Sequence, residues 1–348
     1  MKTYKLKIIS LAIVSVLLSS CTRVMFTSLD VLRPAQIAFA PQASNLLIVN
    51  NAVIQPSDFG HKTTLLNAEP KKIVLPADSL AIFCLGALTE DLQGKDFFSS
   101  IKLLPKSTNT HTNFSKTYPL NKNTVTDLCL KYHANTILSL NNIKVNDDLS
   151  EYYLPETSTY LGTLEFRIET SWSVHYLKSK EVTAIQFKDT VYWESESYVR
   201  RKALGDLPKR SDAMVDAALN VGHKSVNRFV PYWDKADRYF FNPRNKLMKL
   251  GMDSVYVKNW NAAIISWKKA MEKSKSDWIQ AQAANNIAIA YEILGDIDNA
   301  LEYATIAYYS MGKLTFADFE SFNRIAEYIN ELTQRKKDIL ILKKQLGE

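Results

Sequence analysis

The sequence predicts two domains of different class: an N-terminal domain of α+β or α/β type, with a mixed sheet and a long β-hairpin, followed by an all-α domain of paired helices. Strand-length apolar runs alternate with helical patterns between residues 34 and 245. Within that span, residues 164–193 hold two stretches of period-two alternation, the mark of half-buried strands. From residue 257 onward apolar residues recur at i, i+3 and i+4, which places them on one stripe of successive helices.

The chain begins with Lys2, Lys5 and Lys7, followed by an apolar run over 8–18. That run suits a signal-peptide core and is shorter than the roughly 17 to 25 residues of a membrane span. It ends in Leu18-Ser19-Ser20-Cys21, which resembles the bacterial lipoprotein box. The resemblance implies cleavage before Cys21, lipid on its thiol, and residues 21–33 as a lipidated tether. It also implies a bacterial envelope protein, lipid-anchored, at the outer membrane.

Of the 348 residues, 43 are Lys or Arg and 36 are Asp or Glu, a formal balance of +7 that includes the three signal-peptide lysines. The mature chain is therefore only mildly basic. No stripe of basic residues interleaved with aromatics is present, which argues against nucleic acid as a partner.

The N-terminal domain, over 34–245, starts with a strand at about 46–53, rich in Leu46, Leu47, Ile48 and Val49, with Pro56 and Gly60 in its exit loop. A helix is expected over 78–93, capped by Asp78 and stopped by Gly94. A loop-rich segment, a short helix at about 124–133 and a strand at 136–140 follow. This order favours a sheet covered by helices, with consecutive parallel pairing.

Leu164, Phe166, Ile168, Trp172, Val174 and Tyr176 then alternate with polar residues, and so do Ile185, Phe187, Val191 and Trp193 beyond a turn at 178–181. The pair predicts a long hairpin of packed strands. A helix over 212–232 must break at Val230-Pro231, because proline lacks a backbone donor and restricts the residue before it. Tyr232, Trp233, Tyr239, Phe240 and Phe241 read as packing at the domain boundary.

The helical domain, over 257–340, opens with Trp260, Ala263, Ile264, Trp267 and Ala270 on one face. Ala288, Tyr291, Ala300, Ala304 and Ala307 then fall where two closely packed helices would meet, and this stretch resembles a tetratricopeptide repeat. These are structural residues. Ala263 precedes Ala300 by 37 positions rather than the usual 34, which suggests a short inserted loop. A helix at about 320–336 would cap the array.

Chemistry-bearing residues are sparse in pattern. His61, His111, His133, His175 and His223 show no metal-ligand spacing, so no metal and no cofactor is expected. Cys84 and Cys129 each sit in an apolar helical pattern; they suit buried thiols, and an oxidising compartment also permits a disulfide between them. Glu194 and Glu196 share a strand face and Asp189 lies on the other. Such acids serve a hydrolase only where a cleft fixes their separation; a solvated strand face is the plainer reading. No Gly-x-Ser-x-Gly elbow or phosphate-binding glycine loop is present, so no catalytic residue is assigned.

Pro34-Ala35-Gln36-Ile37, Leu47-Ile48-Val49-Asn50-Asn51, Val230-Pro231-Tyr232-Trp233 and the repeat-like C-terminus together resemble DUF6340, a family of Bacteroidota lipoproteins, over most of the mature chain. The resemblance implies an envelope lipoprotein with no established catalytic residues. The N-terminal region also distantly resembles periplasmic domains related to the curli secretion lipoprotein. The function expected is an envelope binding or assembly module, with a protein or peptide partner at the C-terminal helices. A carbohydrate or peptidoglycan hydrolase and a secretion-related pore component are the alternatives.

Overall fold

A computed structural model describes residues 24–40, 42–179, 181–314 and 319–347. The strands are β1 (Val24–Arg33), β2 (Asn45–Asn50), β3 (His61–Thr64), β4 (Lys71–Lys72), β5 (Ser100–Leu104), β6 (Thr136–Leu154), β7 (Thr159–Tyr176), β8 (Val182–Ser197) and β9 (Tyr232–Phe241). The helices are α1 (Leu80–Gln93), α2 (Lys122–Tyr132), α3 (Arg200–Gly205), α4 (Arg210–Phe229), α5 (Lys246–Tyr256), α6 (Trp260–Lys273), α7 (Asp277–Ile293), α8 (Ile297–Gly312) and α9 (Phe319–Leu346). The described residues fall into two compact units, one drawn from 35–231 with 345–347 and one from 232–344 with 24–34.

The first unit is a seven-stranded mixed sheet with β6 as its spine. The start of β6 pairs in parallel with β2, from Leu46 opposite Thr136 to Asn50 opposite Leu140. Its later part pairs in parallel with β3, from His61 opposite Asp147 to Thr64 opposite Ser150. Between them the Gln55 side chain takes the place of a strand residue: Oε1 accepts from Val145 N and Nε2 donates to Val145 O, both at 2.8 Å. The ladder stays satisfied across the gap. The expected strand at 136–140 thus continues to Leu154.

Along its other edge β6 pairs antiparallel with β7, and β7 with β8, so the predicted hairpin lies within a three-stranded meander. Leu46, Ile48, Leu138 and Leu140 face one way and pack with α1 and α4 residues such as Leu85, Leu88, Val221 and Phe229. Leu47, Val49 and Ile137 face the other way and pack with Val125 and Cys129 of α2. Covering both faces is what parallel strands require.

That layering separates the two cysteines. Cys84 sits in the first cluster and Cys129 in the second, on opposite faces of the sheet, and both are buried free thiols rather than the disulfide that compartment chemistry permitted.

Local signals at the helix ends held unevenly. Helix α1 follows Ser79, whose side chain makes no capping bond, so Asp78 is not the cap; the helix does end at Gly94. Asn121 caps α2 by accepting from Thr124 N at 2.9 Å. Val230 is extended ahead of Pro231, as the proline ring demands, and α4 stops there.

In the second unit β1 pairs antiparallel with β9, from Val24 opposite Phe241 to Arg33 opposite Tyr232. Residues 24–33, expected as part of the tether, are therefore an ordered strand whose partner lies some 200 positions away. Side chains of β9 alternate between two clusters. Phe240 stacks on Trp260 and Trp267 at 6.3 and 5.8 Å, while Tyr239 and Phe241 meet edge-on at 5.2 Å on the other side. Trp233, grouped with them in the sequence, is exposed.

Helix α7 serves the backbone of β9. Asn286 accepts from Phe241 N at 2.8 Å and donates to Phe241 O at 2.7 Å, and Asn285 donates to Tyr239 O at 3.0 Å. Groups that a two-stranded ribbon would leave open are thereby satisfied. Helix α5 was not expected from the sequence; Asn245 starts it by accepting from Leu247 N and Met248 N.

Candidate functional site

The repeat-like residues explain how α7 to α9 are arranged. Ala288, Ala300, Ala304 and Ala307 are fully buried, which lets the helix axes approach closely. Tyr291 is half-buried; its hydroxyl accepts from Lys268 Nζ at 2.9 Å and its ring lies 5.6 Å from Tyr303. Only residues 274–276 and 294–296 separate α6, α7 and α8, so the 37-residue spacing reflects the longer α7 rather than an inserted loop.

Close packing along these helices leaves an open groove of about 310 Å³ where α8 meets α9. Thr305, Tyr308 and Tyr309 come from α8, and Ala326, Ile329 and Asn330 from α9. Tyr308 is braced against Phe322 at 4.7 Å, whereas Tyr309 is 67% exposed. The Thr305 hydroxyl is engaged by Leu301 O at 2.8 Å. Among these lining residues there is no carboxylate, imidazole or thiol; their polar groups are the hydroxyls of Thr305, Tyr308 and Tyr309 and the amide of Asn330.

In the same unit, α9 closes a buried charge network. Arg238 reaches Glu292 with two hydrogen bonds, Arg335 also donates to Glu292, and Tyr328 OH donates to Glu292 Oε2 at 2.8 Å. Desolvation disfavours the Glu292 carboxylate, but hydrogen bonding to Arg238 and the pull of Arg238 and Arg335 outweigh it and hold its pKa below the usual value. Tyr328 is pushed well above the usual phenol range by burial and by Glu292 beside it. Periodicity gave no warning of this network, because the partners of Glu292 lie 36 to 54 positions from it.

The histidines do not converge. His61 contacts Asp147, which also accepts from Arg210. His111 stacks on Tyr118, His133 ends α2, His223 pairs with Asp91, and His175 lies 3.3 Å from Ser139 Oγ. Among the described residues no group of three or more His, Cys, Asp or Glu could hold a metal ion. Asp189 is engaged by Arg228 at 2.6 and 2.8 Å, while Glu194 and Glu196 lie on the exposed face of β8. A cavity of about 530 Å³ beside β3 and β4 is rich in cations, but Lys62 is paired with Asp148 and Arg167 with Glu165.

Cys21 and residues 1–20 lie outside the described residues. Among the described residues no helix is long and apolar enough to cross a membrane.

Residues 43–241 match the family described as "Domain of unknown function (DUF8603)", and residues 249–334 match "Domain of unknown function (DUF6340)". The DUF6340 resemblance is therefore confined to the helical region; the bulk of the chain carries a different family pattern. The crystal structure of a neuraminyllactose-binding hemagglutinin homologue from Helicobacter pylori aligns over 55% of this chain and 90% of its own, with 6% identity and a TM-score of 0.20. That degree of likeness supports no structural argument. No curated protein matches the chain.

Proposed function

The chain belongs to the DUF8603 family, and from that premise we propose that it is a lipid-anchored binding or assembly module of the bacterial envelope. In this reading Cys21 carries the lipid at the outer membrane, the mixed sheet forms a platform, and the helices are a tetratricopeptide-repeat-like receptor. The α8–α9 groove takes an extended segment of a partner protein.

The observation that carries the proposal is the pairing of an exposed Tyr309 with an apolar floor at Ala326 and Ile329. Tyrosine supplies contact area at low entropic cost, and Asn330 adds an amide able to hydrogen-bond a partner's backbone. A lining without carboxylate, imidazole or thiol favours binding over hydrolysis. Burial of Phe166, Trp172 and Phe187 along β7 and β8 favours a packed hairpin over a pore ribbon.

A photo-crosslinking residue placed at Tyr309 in the native envelope tests this. A discrete protein adduct is expected there and is expected to disappear in an Ile329→Glu background. Crosslinking no stronger than from exposed Lys249 would sink the groove reading. Mass spectrometry of the membrane-extracted protein tests the anchor separately, since an unmodified N-terminus would reject lipidation.

A further inference from the structure

A second cavity in the helical unit, of about 280 Å³, lies among β1, β9, α7 and α9. Its charges are unequally satisfied. Arg238 is consumed by Glu292 and by Glu331, whose Oε2 lies 2.7 Å from Nη1. Arg324 is held by Glu320 and sits over the rings of Phe26 and Tyr239 at 5.5 and 5.3 Å. Asp237 and Glu327, both exposed at the cavity, meet no cation among the described residues. The site therefore presents spent cations and unspent acids.

Asn285 adds the deciding feature. The residue lines the cavity, is fully buried, and donates its Nδ2 to Tyr239 O, which fixes the amide orientation. That orientation leaves Oδ1 as a buried acceptor with no donor. Buried polar atoms ordinarily find a partner, so an unmatched acceptor inside a cavity marks a place for a donor.

We propose that this cavity binds a primary ammonium group, with Asn285 Oδ1, Asp237 and Glu327 as its acceptors. An ammonium carries three donors and no acceptor, which matches one amide oxygen and two carboxylates. Ile289, also in the lining, gives the adjoining alkyl chain an apolar wall. A guanidinium is the poorer fit, because Arg324 already occupies the ring faces of Phe26 and Tyr239. The group could arrive on a free diamine or on the lysine side chain of a polypeptide. The chemistry at the cavity is the same.

Calorimetric titration of the full chain in detergent separates these cases, using 1,4-diaminobutane, a blocked lysine tripeptide, and the same tripeptide acetylated on Nε. Saturable binding of an amine and none of the acetylated peptide is the expected result. Binding of both amines points to a small diamine as sufficient, and binding of the peptide alone points to a polypeptide source. The double variant Asp237→Asn with Glu327→Gln should weaken binding by roughly threefold to tenfold, the range for two exposed charge contacts. Both side chains are exposed, so an unchanged melting temperature is expected for this variant. A Tyr309→Ser variant should leave the titration unaltered, which keeps this inference separate from the groove. Absence of binding by either amine, equal binding of the acetylated peptide, or indifference to the double variant would overturn the proposal.

Discussion

Arg238 and Glu292 form a bidentate ion pair, Nε to Oε2 at 2.7 Å and Nη2 to Oε1 at 2.9 Å, with both side chains almost wholly out of solvent. It joins β9 to α7, and Arg335 and Tyr328 tie α9 to the same carboxylate. Removing Glu292 leaves the buried Arg238 only the half-exposed Glu331 as an anionic partner, so Glu292→Leu should cost up to about 3 kcal/mol in urea unfolding. Replacing Arg238 and Glu292 together with Met and Leu should recover much of that loss. The pH dependence has a definite sign. The folded pKa of Glu292 is depressed, so its stabilisation is present above the ordinary carboxylate pKa and is lost as pH falls through the folded value. Equal stability of the single and double variants would refute the coupling.

Elements whose signal is local were legible in the sequence. The hairpin of β7 and β8 follows from alternation alone, and the end of α4 from one proline. Strand β1 was missed because its partner is β9, and pairing across some 200 residues leaves no mark on either segment by itself. The length of β6 was hidden by Asn141, Asn142, Asn146, Asp147 and Asp148, polar residues held in place by tertiary partners such as Tyr118 through Asn51, Phe114 and Arg210. At the groove, the alanine spacing was visible, but which tyrosines would stay open depended on where α9 packs. The ammonium cavity was invisible for the same reason: Asp237, Asn285 and Glu327 belong to three different elements.

His175 should make the sheet unit acid-sensitive. Burial, helped by the nearby positive charge of Lys122, lowers its pKa from 6.5 to about 4. The unfolded chain therefore binds a proton that the native state refuses between those values. Stability contributed by neutral His175 is complete above about pH 6.5 and is lost as pH falls toward about 4, by up to about 3 kcal/mol. A His175→Gln variant should flatten the urea midpoint across that window, and an unchanged slope would assign the acid sensitivity elsewhere.

Thiol chemistry should follow the two-sided core. Burial, with Asp189 nearby, pushes the Cys84 thiol up to about 12, and burial also raises Cys129. The folded protein at pH 8 should react slowly with a thiol reagent, because neither side chain offers an exposed thiolate. Unfolding without reductant should release two equivalents, one from each of these cysteines. Release of none would mean that they are bridged, contrary to their placement on opposite faces of the sheet.

Gly251 and Gly86 predict opposite responses to the same substitution. A Cβ on Gly251 in α5 would fall 2.1 Å from Trp267 Nε1, where the fully buried indole donates to Met248 O at 3.1 Å. Gly251→Ala must therefore displace the ring. Overpacking of about 1 to 3 kcal/mol, with a hydrogen bond of about 1 kcal/mol at stake, exceeds the roughly 1 kcal/mol that alanine gains over glycine in a helix. Net destabilisation of about 2 kcal/mol is expected. Gly86 in α1 has open space at its Cβ position, so Gly86→Ala should stabilise by up to about 1 kcal/mol through helix propensity alone. Urea unfolding followed by circular dichroism measures both. If Gly251→Ala proved as stable as the parent chain, α5 would have to be able to move away from Trp267 at little cost, and the close approach of α5 and α6 would not be what holds that indole in the core.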